Sequence, residues 1–203
     1  MSLTYPFDPT GQEMKSDVTD EDLDRSFIAH FEVSAAHAVA ASTTGVHAAV
    51  TDNGEQQEIT TEITNPAVPR NITATAGGTG TDIKAIQVIV EGTNFLDAVI
   101  SETLPVFTVD TPGTVEGSKA FKTVTKATIP AHDGTGATTA IGWGDKLGLP
   151  YKRGIMSCID AFLDKAKEGT APTLAVDATN IESNTINLDS ALDGTKVDAF
   201  LVI

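Results

Sequence analysis

Asn65-Pro-Ala-Val-Pro-Arg-Asn-Ile-Thr-Ala-Thr75, then Asp82-Ile-Lys-Ala-Ile-Gln-Val-Ile-Val-Glu91, decides how this chain is to be read. The two prolines fix their own φ and bias the residue before each toward extended backbone, so they deliver the chain into a strand over Asn71 to Thr75. Ala76 to Thr81 is Gly-rich and reads as a turn. It lacks the Gly-Lys-Ser/Thr that a phosphate loop requires. Asp82 to Glu91 is the most apolar stretch and predicts a strand buried on both faces or carrying a bulge.

Working outward, the same alternation of short apolar runs with Gly, Pro, Asn and Asp continues in both directions. Gly45 to Val50 predicts a strand ended by the turn Asp52-Asn53-Gly54, and Glu58 to Thr64 predicts the next. Gly92-Thr-Asn94 turns the chain, Ala98 to Val106 returns it, and Phe121 to Ile129 and Thr138 to Trp143 are further strands. Strands are also expected over Thr173 to Val176, Ile181 to Leu188 and Lys196 to Ile203. The fold class is mainly β: an antiparallel β-sandwich or partly closed barrel of about nine or ten short strands, with one or two short helices.

Residues 1–44 read as an extended N-terminal arm with a short helix, and residues 45–203 as the β domain. Thr19 as a candidate N-cap with acids in the first turn predicts a helix start, followed by a short helix or turn through Leu23, Phe27 and Phe31. Residues 155–168 space Ile155, Ile159, Phe162 and Leu163 as a helix would, and are expected as a helical insertion or an extended segment. The cluster Asp17, Asp20, Glu21, Asp22 and Asp24 lacks the ligand spacing and central glycine of a calcium loop.

The 203 residues carry 28 acids against 13 Lys and Arg, a formal charge of −15. Such a chain repels phosphate backbones, so no direct nucleic-acid binding is expected. Lys119, Lys122 and Lys126 are the nearest thing to a basic patch and read as a solvated face. The single cysteine, Cys158, forms no disulfide within the chain. No apolar run approaches the ~20 residues of a spanning helix, and the N-terminus lacks the regions of a signal peptide, so no membrane is expected and the chain reads as made in the cytoplasm.

The residues that carry chemistry are scattered. His30, His37, His47 and His132 form no ligand pair, and neither a serine elbow nor a signature around Ser157-Cys158 is present. Trp143, Tyr5 and Tyr151 do not build a sugar platform. No catalytic, cofactor-binding or metal-binding residue is assigned, no cofactor is expected, and an enzyme is not. Gly142-Trp-Gly-Asp-Lys-Leu-Gly-Leu-Pro150 predicts a loop anchored on the sheet by Trp143 and Leu147.

Together, I-T-N-P-A-V-P-R-N-I-T-A-T, V-I-V-E-G-T-N, I-S-E-T-L, G-S-K-A-F-K-T-V-T-K-A-T-I-P, G-D-K-L-G-L-P-Y-K and the closing L-D-S-A-L-D-G-T-K-V-D-A-F-L-V-I resemble structural proteins of tailed-bacteriophage virions. The resemblance covers residues 60–152 and the last twenty. It implies a β-rich subunit of the virion, made in the host cytoplasm and repeated on the particle as a homo-oligomer. A capsid decoration or minor capsid protein fits first, its partner the major capsid protein or other virion subunits. Interface candidates are Asp8, Asp17, Asp20, Asp22 and Arg25 in the arm, and Trp143 with Leu147. A ring-forming tail-tube or connector subunit is the alternative, favoured by a hairpin extending beyond the body. A host-binding module is the alternative of another class, marked by an aromatic or carboxylate-lined pocket.

Overall fold

The computed structural model describes residues 13–15, 18–19, 22–24, 26–152 and 157–203. Within them the chain is mainly β, in antiparallel sheets that stack and curl into a half-barrel. A first hairpin pairs β1 (Glu13–Lys15) with β2 (Asp22–Asp24), and β3 (Ile28–Val33), β4 (Ser42–Thr51) and β5 (Gln57–Ile59) follow. Next come β6 (Arg70–Gly78), β7 (Ile89–Thr93), β8 (Val99–Thr103), β9 (Gly113–Phe121), β10 (Thr123–Ile129) and β11 (Ala137–Gly148). β12 (Ser157–Leu163), β13 (Ala166–Lys167), β14 (Thr173–Ala175), β15 (Thr185–Asn187) and β16 (Val197–Val202) complete the chain. Ten of these strands have five residues or more, and the remaining six are short pairings.

Three sheets make the body. The largest runs β14-β15-β11-β6-β9, with β4 also on β11; the second runs β5-β10-β7-β8; the third runs β13-β12-β16-β3. β11 ties the largest sheet together. It pairs β6 from Ala137 to Leu147, β4 along one half and β15 at its far end. Its glycines serve that traffic: a Cβ on Gly142 would lie 1.9 Å from the Ser42 carbonyl oxygen, so only glycine lets β4 cross there.

Two cores result. One gathers Ile72, Ala74, Ile83, Val88, Val90, Phe121 and Ile141 between the first two sheets. The other gathers Val33, Leu147, Leu149, Ile186, Val197 and Leu201 beneath the third. Each buried Leu, Ile or Phe contributes about 1.5–3 kcal/mol of transfer free energy.

Four expectations are corrected. No helix starts at Thr19: Asp22–Asp24 is a strand, and Phe27 exchanges both backbone hydrogen bonds with Ile203 (3.0 and 2.9 Å), so pairing with the chain's last residues wins over the local acid-led helix signal. Residues 28–33, placed in the arm, form a sheet with β16. Of the two alternatives for residues 155–168, residues 157–163 take the extended one. Asp164 and Lys165 both take positive φ (48° and 66°), a two-residue turn that folds β13 back on β12.

The apolar stretch Asp82 to Glu91 is a strand only from Ile89. Ile83, Ile86 and Val88 reach the core from irregular backbone, bonded loosely to the returning chain through Asp110 N–H to Ile83 (2.9 Å), Phe107 N–H to Ile86 (3.1 Å) and Leu104 N–H to Val88 (2.8 Å). Finally, Trp143 and Leu147 lie within β11, not on a loop, because the strand runs on through the glycines that suggested one. Among the described residues, helix is confined to two three-residue 3-10 turns, Gly80–Asp82 and Ile181–Ser183.

Candidate functional site

Arg70 opens β6 directly after Pro69, and its side chain is wholly buried. Its Nε donates to the Gly144 carbonyl (2.7 Å), one terminal nitrogen to the Val39 carbonyl (2.6 Å) and the other to Asp145 Oδ1 (3.2 Å). The backbone amides of Leu192 and Ala41 also favour the charged form of Asp145. Burial lowers the guanidinium to about 10, which still leaves it charged at neutral pH, and the Asp145 charge opposes that fall. Burial likewise pushes the Asp145 carboxyl up, against the pull of Arg70 and the two amides. The pair is a clamp joining β6, β11 and the chain on either side of them.

Beside it opens a cavity of about 350 Å³ lined by Ser42, Thr73, Glu116, Asp145 and Asn187 among others. Thr73 Oγ1 is buried there without a hydrogen-bond partner. The two carboxylates that line this cavity are engaged: Asp145 as above, and Glu116 with Lys146 at 3.3 Å. Trp143 contributes to the lining, but its indole faces the first core, and its Nε1 donates to the Ala40 carbonyl at 3.2 Å. The carboxylates expected of a host-binding pocket are therefore present but tied into the scaffold.

A second cavity, of about 420 Å³, separates β3 from the body and is lined by Phe31, Val33, Val68, Pro69, Phe95 and Tyr151, with further residues at its rim. On the other face of the same sheet His30, Glu32 and Asp198 bring three ligand-type atoms within 4.8 Å of one another. Lys196 already supplies the positive charge: its Nζ stands 2.8 Å from Glu32 Oε2 and 3.0 Å from Asp198 Oδ1, while His30 Nε2 meets the same Asp198 oxygen at 2.7 Å. This is an ion-pair network on a sheet surface.

Buried carboxylates also tie the sheets to each other. Glu102 on β8 accepts from Ser118 N–H (2.7 Å), Ser118 Oγ (2.8 Å) and Lys119 N–H (3.2 Å), the amides left over where β9 bulges against β6. Glu182 accepts from Asn94 Nδ2 (3.0 Å), which pins the β7–β8 turn to the body. Neither acid was singled out from the sequence. Their only signal is an acid or amide inside an otherwise apolar run.

The sequence-derived candidates do not converge. Asp8, Asp17, Asp20 and Arg25 lie outside the described residues, and Asp22 sits in β2. Trp143 packs on the first core and Leu147 is buried in the second, so the two belong to different halves of the body. Lys122 and Lys126 are neutralised by Asp97 and Glu91, each at 2.7 Å. Among the described residues, no helix is long and apolar enough to cross a membrane. Comparison of the chain with protein-family models, curated proteins and solved structures finds no match in any of the three.

Proposed function

We propose that this protein is a structural subunit of a tailed-phage virion, most simply a capsid decoration or minor capsid protein seated on the major capsid lattice. The sequence resemblance supports this reading, and one feature of the surface carries it. Around β8, an edge strand of the second sheet, the chain exposes Leu96 (61%) in the preceding turn, Val99 (84%) at the start of the strand, and Val106 (51%) and Val109 (49%) in the segment that follows it. Apolar side chains gathered beside a sheet edge are suited to lying against another protein surface. Contacts repeated over a lattice need only modest strength one by one, because many engage together.

The ring-forming alternative drew support from a hairpin reaching beyond the body. The β7–β8 hairpin does not supply one, since Asn94 is held by Glu182 and Phe95 lines the cavity beside β3. The test is the double variant Leu96→Asp with Val99→Asp, both exposed and therefore neutral for the fold. Loss of the variant from assembled particles, with its circular dichroism unchanged, is the expected result. Occupancy equal to the parent protein contradicts the reading.

A further inference from the structure

Ile72 and Ala74 of β6 face the first core, so Thr73 between them faces the other side of the largest sheet. Its neighbours across the two ladders are Glu116 on β9 and Gly142 on β11. Gly142 has no side chain to fill that row, and β4 crosses it with Ser42. The outcome is a hollow with Thr73 at its floor, Ser42 and Thr43 on one wall and Glu116 on the other. This is the cavity of about 350 Å³.

Thr73 is 4% exposed, and its Oγ1 is the one buried side-chain nitrogen or oxygen without a hydrogen-bond partner among the described residues. Two residues on, Thr75 shows what a cross-strand partner does: its Oγ1 meets Thr114 Oγ1 at 2.8 Å. The counterpart of Thr73 is Glu116, which turns instead to Lys146 at 3.3 Å. A buried hydroxyl left unbonded costs free energy, so at the floor of a cavity it calls for a partner from outside the fold.

The lining sets the chemistry of that partner. It carries the hydroxyls of Ser42, Thr43 and Thr73, the Asn187 amide and the carboxylates of Glu116 and Asp145, with no cation among the described residues there. An anion would meet two carboxylates. A cation would find them neutralised already, Asp145 by Arg70 at 3.2 Å and Glu116 by Lys146. The Glu116 pairing engages Oε2, and the side chain stays 54% exposed, so Oε1 has lone pairs to offer. What remains is a cluster of uncharged donors and acceptors, the pattern that a hydroxyl-rich ligand matches. The volume far exceeds the ~30 Å³ share of one water and falls within the ~300–1,000 Å³ of small-molecule sites.

We propose that this cavity binds one unit of a non-acidic saccharide, with Thr73 Oγ1 and Glu116 Oε1 bonding to its hydroxyls. The Trp143 indole faces the first core, so no ring stacks on the sugar and hydrogen bonds carry the affinity. Such a site goes beyond the virion reading and stands without it.

The test titrates the full, isotope-labelled chain separately with D-glucose, D-galactose, D-mannose and N-acetyl-D-glucosamine, followed by amide resonances. At least one is expected to bind saturably, to move the Thr73, Glu116 and Gly144 resonances, and to bind at least about tenfold more tightly than D-glucuronate. Thr73→Val keeps the shape and removes the hydroxyl, and is expected to weaken binding of that sugar at least about tenfold. Its thermal midpoint is expected to stay at or above the parent's, because the hydroxyl bonds nothing within the fold. A lowered midpoint assigns the hydroxyl to a structural water and overturns the proposal. Undiminished binding by Thr73→Val, equal binding of glucuronate, resonances that move elsewhere on the body, or no binding of any of the four sugars overturns it as well.

Discussion

Gly45 of β4 lies against the indole of Trp143 on β11 so closely that a Cβ built on it would sit 2.7 Å from the ring atoms. The contact lets the ring pack on the first core while its Nε1 reaches the Ala40 carbonyl. Gly45→Ala is therefore expected to destabilise by about 1–3 kcal/mol through overpacking. Urea unfolding followed by circular dichroism measures it. Trp143→Leu in the Gly45→Ala background is expected to recover part of that loss by making room.

Arg70 is wholly buried and bonded to three acceptors, so its loss is costly. Arg70→Ala strands the Gly144 and Val39 carbonyls and leaves Asp145 without its counter-charge. Breaking a buried pair by removing one partner costs about 3–5 kcal/mol. Arg70→Lys is expected to recover little, since one ammonium does not span three acceptors set around a planar fork. Thermal unfolding of the two variants compares them directly.

The strand pattern of the body was legible because it rests on local signals: Asn53-Gly54, the prolines before Arg70, and β-branched runs such as Thr123–Ile129. What failed depends on distant partners. Asp22–Asp24 and Ile28–Val33 look helical from their acids and spacing, yet Phe27 is bonded to Ile203 at the other end of the chain. Residues 157–163 share the same sheet, and their spacing alone left helix and extended segment both open. Ile83 and Ile86 were legible as core but not as irregular backbone, because burial and strand look alike in composition. Arg70, Asp145, Glu102 and Glu182 were not legible as a set. Their partners are distant side chains, as in Arg70 with Asp145 and Glu182 with Asn94, or backbone groups at bulges and turns, and neither leaves a mark on the sequence.

His132 gives a pH signature. Its Nδ1 accepts from Lys84 N–H (3.2 Å), so in the folded protein the ring is neutral and Nε2 carries the proton toward Thr139 Oγ1 (2.9 Å). Burial holds it below the ordinary histidine value of 6.5, against the opposing charges of Asp52 and Asp133. The unfolded chain thus binds the proton first as pH falls. This contribution is whole above about pH 6.5 and is lost as pH drops below it. Unfolding free energies at several pH values between 7.5 and 5 should fall toward acid by up to one proton's slope more than in His132→Gln.

Both cores are built from residues between Val33 and Leu201. Deleting residues 1–15 is accordingly expected to leave a folded body with the parent's near-ultraviolet circular dichroism, but one that no longer joins the particle. Undiminished incorporation of the truncated chain counts against a role for the arm in assembly.

Electron microscopy of the native assembly, with copies counted and their symmetry read, tests the virion proposal most directly. The account predicts copies repeated over the capsid lattice, with the Leu96–Val109 surface against a neighbouring subunit. Copies arranged as a ring in the tail or connector, or particles that lack this chain altogether, would contradict it.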